Sequence, residues 1–236
     1  MRDREGTLLP DQWHDPEFVE RWDARVRAGS AHRTEQVDIV ITAMDSSVPR
    51  GGHVLDLGVG TGLVALEILR RRPDVELSGI DSSEAALGIA RDRLGRFSGR
   101  LRLTRGDMVD DMPQGAFDAV IAVQTLHHIT DEAKDRALGQ IRDRLTPSGI
   151  LVVAERLALD TAHFADEISA LRDRRERLAG EGSHHSHPDF AEKAAHQEEW
   201  PLSLDGMLAW LREGGFHALC LDLHLDLVVI AGRPGR

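Results

Sequence analysis

Val54-Leu55-Asp56-Leu57-Gly58-Val59-Gly60-Thr61-Gly62 is the stretch on which the reading of this chain turns. A short apolar run enters three glycines and then a helix-compatible segment, which predicts a buried strand, a tight turn and a helix. Glycine allows positive φ and lets a ligand approach the backbone closely. The spacing is G-x-G-x-G, not the G-x-G-x-x-G of dinucleotide sites. A dinucleotide sets an anionic pyrophosphate on the helix N-terminus. Here Asp56 stands two residues before the first glycine, and a carboxylate there suits a ligand carrying positive charge.

Outward from this loop, strands and helices alternate. Strands are predicted at 53–57, 76–80, 101–105, 117–123 and 150–155, and helices at 61–71, 83–94 and 131–145, the last closed by a Pro147-Ser148-Gly149 turn. That rhythm argues for a largely parallel sheet with helices on both faces. Two helical runs, 15–29 and 31–44, precede it, parted by Gly29-Ser30. Residues 160–200 break the rhythm with a charged, His-rich, helical pattern. A helix opened by Ser203 to Gly206 follows, then strands at 218–224 and 227–231 close enough to pair antiparallel.

Bulk properties set limits. The 236 residues suffice for one large domain, and 41% apolar content is ordinary for a globular protein. No apolar run approaches a membrane span, and the first residues lack the apolar stretch of a signal peptide, so a cytoplasmic location is expected. A net charge of −11 disfavours broad contact with nucleic acid. The basic run at 172–177 is interleaved with acids and reads as a solvated helix face. Cys220, the single cysteine, reads as a buried strand residue.

The segment 54–62 resembles the first motif of class I S-adenosylmethionine-dependent methyltransferases, and further matches follow in order over about residues 50–156. Asp81, in Leu77-Ser78-Gly79-Ile80-Asp81-Ser82-Ser83, ends the second strand, where the family places an acid on the ribose hydroxyls. Gly106-Asp107-Met108 follows the third strand, where the family's Asp approaches the adenine amino group. Residues 117–129, containing Gln124, resemble the fourth strand and the loop beneath the methionine part. Residues 141–155 resemble the segment leading into the fifth strand, with Ser148 in place of a glycine. Phe18 to Asp23 resembles the element that covers the cofactor, with Trp22 in place of tyrosine; Arg33 then suits the cofactor carboxylate.

The resemblance implies a Rossmann-like α/β fold: seven mostly parallel strands, an antiparallel last strand, helices on both faces and a helical cap. It implies S-adenosyl-L-methionine held by Asp56, Gly58, Gly60, Gly62, Asp81, Ser82, Gly106, Asp107, Met108, Gln124, Trp22 and Arg33. Thr61 is either a ligand contact or a helix cap. The expected organisation is cap helices at 1–48, a cofactor-binding core at 49–157, a helical lid at 158–202 and the rest of the sheet at 203–236.

For the chemistry, His127 is the first candidate base and His128 the second, since both follow the fourth strand; Glu155, ending the fifth, is a candidate to orient an acceptor. His184, His185, His187 and His196 invite a metal reading, but H-H-x-H lacks the logic of a firm zinc site, and no metal is expected. Trp200 and Trp210 read as packing. The expected activity is methyl transfer to a small-molecule acceptor, in specialised metabolism. Three rivals stand beside it: an enzyme using S-adenosylmethionine for a non-methyl reaction, a regulatory or partner subunit that only binds it, and an RNA or protein methyltransferase. A homodimer is left open.

Overall fold

The computed structural model describes residues 11–28, 31–159, 161–179 and 200–235. Seven strands form one sheet: β1 (His53–Leu57), β2 (Glu76–Asp81), β3 (Leu101–Arg105), β4 (Phe117–Val123), β5 (Leu145–Arg156), β6 (Phe216–His224) and β7 (Leu227–Pro234). Their order is β3-β2-β1-β4-β5-β7-β6. Neighbours from β3 to β5 pair parallel, and β7 runs antiparallel to both β5 and β6. The order reverses between β1 and β4. Such a switch point opens a crevice beyond the carboxyl ends of the two strands.

Helices cover both faces, which is why the central strands read as unbroken apolar runs. On one face Val40, Ile41 and Met44 of α2 (Ala31–Asp45), Ile68 of α3 (Leu63–Arg71) and Leu87 of α4 (Glu84–Leu94) pack on Val54, Leu77 and Ile121. On the other, Leu138 and Ile141 of α5 (Asp131–Arg144) and Leu211 of α7 (Leu204–Glu213) pack on Leu55, Leu57 and Val153. Each such side chain, fully buried, is worth roughly 1.5–3 kcal/mol. Within β1 only Asp56 puts a charged group into this core, at 2% exposure. A buried carboxylate is costly without a partner, so its place in the strand points to function.

Two elements differ from the sequence expectation. β5 starts at Leu145, not at residue 150, because Leu145 already pairs with Phe117 before a bulge lets Ile150 meet Ala119. Pro147, with no N–H for the ladder, sits in that bulge. Within the described part of 1–48, α2 packs across β5, β7 and β6 and belongs to a helical layer of the sheet. Only the short 3-10 helix Asp11–His14 and α1 (Pro16–Ala28) pack against α4 beside the crevice. The segment after β5 contributes α6 (Thr161–Ala179). Its ends meet, since Ala158 N–H donates to the Leu202 carbonyl at 2.9 Å and Trp200 N–H to the His127 carbonyl at 2.7 Å. Buried Lys134 ties the same junction by bonding Asp131 and the Trp200 carbonyl. Among the described residues, no helix is long and apolar enough to cross a membrane.

Candidate cofactor site

A cleft of about 720 Å³, partly open to solvent, lies at the switch point. Its walls include Asp56, Gly58, Gly60, Asp81, Gln124, Trp22 and Arg33 from the sequence expectation. Seven buried side-chain polar atoms have no hydrogen-bond partner among the described residues, and four of these residues, Trp13, Asp56, Thr61 and His128, line this cleft. Native interiors leave few polar groups unsatisfied. Their concentration here marks a surface built for a ligand.

The glycine loop forms one wall. Gly58, Gly60 and Gly62 all have positive φ. Gly58 is also required by space, because a Cβ there would lie 2.0 Å from Thr125 Oγ1 on the opposite wall. Asp81 organises the loop: its Oδ2 accepts from Gly60 N–H at 2.8 Å and its Oδ1 from Ser83 N–H at 2.9 Å. Burial raises the Asp81 pKa in spite of these bonds. Asp56 is raised to about 8 by burial and by the neighbouring Asp81 charge. Two neighbouring carboxyl groups, one with an unpartnered oxygen, suit a ligand that brings positive charge or hydrogen-bond donors.

The opposite wall carries the positive charge. Arg33 Nη1 donates to Gln124 Oε1 at 2.8 Å, and its guanidinium lies 5.8 Å from the Trp22 ring centroid. Burial, then the nearby Arg156 charge, lowers the Arg33 pKa. Gln124 itself has φ of 53° and anchors its N–H on the Ala154 carbonyl, which turns the chain out of β4. Trp13 was missed by the sequence reading. It packs edge-on against Trp22 at 5.2 Å and against His128 at 5.8 Å, and Ser83 Oγ–H donates to its carbonyl. A lone tryptophan in a polar N-terminal stretch was its one available signal.

Glu155 does not line the cleft. It is fully buried, and its Oε1 accepts from Thr125 N–H and Leu126 N–H, both at 2.7 Å. Its Oε2 lies 2.5 Å from His127 Nδ1 and also accepts from Arg156 N–H. Burial opposes its charge, but His127 and the two N–H groups outweigh that and hold its pKa below the usual range. Glu155 thus pins the loop after β4, and His127, bonded to it, is buried outside the cleft wall. His128 is the histidine that lines the cleft; burial, then His127, lowers its pKa to about 3.

The remaining candidates are placed elsewhere. Asp107 does not line the cleft: its Oδ1 accepts from Val109 and Asp110 N–H, closing its own turn. Gly106 packs against Asp111, and Met108 is buried behind the wall with its Sδ 4.0 Å from Thr125 Oγ1. Gly62 packs on Leu94 of α4, and Ser82 is next to the wall without being part of it. Trp210 is buried in the core, as its packing reading requires. His184, His185, His187 and His196 lie outside the described residues, as does the Arg172 side chain of the basic run. Among the described residues no group of three or more His, Cys, Asp or Glu could hold a metal ion.

Residues 54–149 match the family model described as a methyltransferase domain. An uncharacterized methyltransferase of Geobacillus kaustophilus is 30% identical over 218 residues, covering 91% of this chain and 90% of the relative. The chain belongs to the class I S-adenosylmethionine-dependent methyltransferases. A carboxy-S-adenosyl-L-methionine synthase of Campylobacter fetus is 29% identical over 146 residues, 62% of each chain. Among solved structures the fold resembles an O-methyltransferase family protein from Burkholderia thailandensis, with TM-score 0.72 and 17% identity over 99% of this chain. It also resembles human N-acetylserotonin methyltransferase in complex with S-adenosylmethionine, with TM-score 0.68 and 19% identity over the whole of this chain. This methyltransferase spans 65% and 61% of those two longer proteins.

The residues present fit S-adenosylmethionine, which has an ammonium and a sulfonium, a carboxylate and two ribose hydroxyls. Asp56, with its unpartnered oxygen on the cleft, matches the positive end. Asp81, at the end of β2, can accept from hydroxyls beyond its two backbone bonds. Arg33 supplies the counter-charge for a carboxylate.

Proposed function

We propose that this methyltransferase acts on a small molecule. The observation that carries this reading is the aromatic roof: Trp13 and Trp22, packed edge-on, line a cleft already narrowed by the glycine loop and the loop after β4. The segment following β5 returns at Trp200 onto the carbonyl of His127, next to the cleft residue His128. A cleft lined in this way favours a compact acceptor over a folded RNA or protein. The acidic balance of the chain favours the same choice.

Bound S-adenosylmethionine supplies an activated methyl group, and the protein supplies orientation and an enclosed environment. Asp81 would hold the ribose, Asp56 the ammonium, and Arg33 with Gln124 the carboxylate. Trp22 would cover an apolar face of the cofactor. Glu155 and His127 act one step removed, fixing the backbone of Thr125 and Leu126 so that the wall keeps its shape.

Calorimetric titration with S-adenosylmethionine and S-adenosylhomocysteine should give micromolar binding, roughly −8 kcal/mol, with none for NAD. Incubation with S-adenosylmethionine and a small-molecule extract should then yield S-adenosylhomocysteine and one methylated product. Turnover confined to an RNA or protein fraction would refute the small-molecule acceptor. A second reading rests on the carboxy-S-adenosyl-L-methionine synthase relative: a reaction that alters the cofactor itself. The sulfur product separates the two, since only methyl transfer releases S-adenosylhomocysteine.

A further inference from the structure

Arg33, Gln124 and Gln36 form a chain of polar side chains that leads from the cleft into the core. Arg33 and Gln36 stand three residues apart on α2, a spacing that brings two side chains to one face of a helix. Both reach Gln124, just beyond β4. Arg33 Nη1 donates to Gln124 Oε1 at 2.8 Å, and Gln124 Nε2 donates to Gln36 Oε1 at 3.3 Å. Arg33 and Gln124 line the cleft, whereas Gln36 lies behind them at 3% exposure.

The first member dictates the direction of this chain. A guanidinium only donates, so the end of the Gln124 amide that meets it must be the oxygen. The nitrogen end then turns to Gln36, which answers with its own oxygen. That leaves Gln36 Nε2 as a buried donor with no partner among the described residues. Such a donor is costly. An apolar side chain at this buried position, one turn before buried Val40, avoids the cost. What an apolar side chain cannot supply is the oxygen for Gln124. Resting on the reading that Arg33 meets the cofactor carboxylate, we propose that Gln36 is a positioning residue that sets specificity for a carboxylated cofactor.

Without Gln36 the Gln124 amide is free to rotate. Rotation turns an N–H toward Arg33, where an acceptor had been, and offers an incoming carboxylate an oxygen in place of an N–H. With Gln36 present, one hydrogen of Gln124 Nε2 is engaged and the amide keeps its sense. The guanidinium is then held before the ligand arrives, which cuts the cost of binding. The Gln124 backbone is fixed separately, by its N–H on the Ala154 carbonyl at 2.7 Å, so Gln36 acts on the side chain alone.

The test compares S-adenosylmethionine with decarboxylated S-adenosylmethionine, which keeps the adenosine, sulfonium and ammonium and lacks only the carboxylate. Calorimetry on the full-length protein gives the ratio of the two affinities, and thermal melting checks the fold of each variant. Gln36→Met should weaken S-adenosylmethionine about tenfold and leave the decarboxylated compound bound as in wild type. Gln36→Glu keeps an oxygen for Gln124 Nε2 and should return the ratio to near the wild-type value. Arg33→Met, the control, should lower the ratio about 100-fold. Equal weakening of both compounds by Gln36→Met would make Gln36 a packing residue and overturn the proposal. So would a ratio that Arg33→Met moves and Gln36→Met does not, or a Gln36→Glu ratio no better than that of Gln36→Met. A ratio that Arg33→Met leaves unchanged would bring down the carboxylate reading itself, and that outcome is recognised without any Gln36 variant.

Discussion

The glycine-loop wall of the cleft and the wall formed by the loop after β4 are built by different means. The first is local. Gly58, Gly60 and Gly62 bend one short segment, and a single carboxylate from the next strand, Asp81, catches Gly60 N–H. The second is held from a distance: Glu155, about 30 residues further along the chain, satisfies two backbone N–H groups and one imidazole at once. The local wall keeps its polar demand open, in the unpartnered oxygen of Asp56. The distant wall spends its buried charge internally and presents the uncharged side chains of Gln124, Thr125 and His128 to the cleft. One wall is thus charged for ligand binding, and the other is charged for its own rigidity.

The sharpest way to break this comparison is to remove Glu155. In Glu155→Ala the N–H groups of Thr125 and Leu126 lose their acceptor inside the core. Breaking such a buried network costs about 3–5 kcal/mol, which for a chain of this size lowers Tm by roughly 10 °C. Thermal unfolding followed by circular dichroism reads this directly. A drop of only a degree or two would mean that the wall is held by something other than Glu155.

Asp56 should behave in the opposite way. Asp56→Asn replaces a buried carboxyl that burial and Asp81 keep protonated up to about pH 8, with one oxygen that has no partner among the described residues, so the ligand-free protein should melt no lower than wild type at neutral pH. Cofactor affinity should fall about 10- to 100-fold, the loss of roughly 1.4–2.7 kcal/mol. Calorimetry and melting on the same samples separate the two effects. Loss of both together would place Asp56 among the structural groups with Glu155.

Asp56 also sets a pH dependence. Its folded pKa of about 8 lies above the ordinary carboxylate value, so the folded state binds a proton that the unfolded state releases near pH 4. Ligand-free stability from this group is therefore full below about pH 4 and is lost as pH rises through about 8. Cofactor binding needs the charged form, so at pH 7 it should release a proton and tighten as pH rises to about 8. Titration in buffers of different ionisation enthalpy detects that proton. In Asp56→Asn the proton release should vanish.

The same contrast explains what was legible in the sequence. The glycine loop could be read because a tight turn with positive φ calls for glycine at those spacings, Asp56 because it stands in the same short stretch, and Asp81 through the family resemblance. The largely parallel sheet followed from the alternation of strands and helices, while the strand order did not, because it depends on pairings between distant segments. Glu155 was read as a rim residue because its position at a strand end is visible, whereas its inward bonds depend on register with β4. Asp107 was read as a ligand contact, yet its carboxylate closes its own turn, a use that a Gly-Asp pair has in many loops. Trp13 and His128 meet only in three dimensions, 115 positions apart, and no spacing rule joins them.

The smallest expected effect concerns how the N-terminal helix is fastened, and to which wall. Asp23 of α1 is 5% exposed and bonds both Arg93 of α4 at 2.8 Å and Arg27 of its own helix at 2.9 Å. Burial pushes its pKa up, but Arg93 leads the groups that pull it below the usual range. Arg93 also donates to the Thr61 carbonyl, so α1 is tied to the glycine loop and not to the loop after β4. Arg93→Ala should therefore cost about 1–2 kcal/mol and speed cofactor release a few-fold in stopped-flow experiments. Arg27 is 58% exposed, and Arg27→Ala should change stability by less than about 0.5 kcal/mol. If the two variants were equal, Asp23 would be a surface group with no hold on the cleft. If Arg93→Ala alone quickens release, the helix carrying Trp22 is held over the cofactor by the wall that binds it.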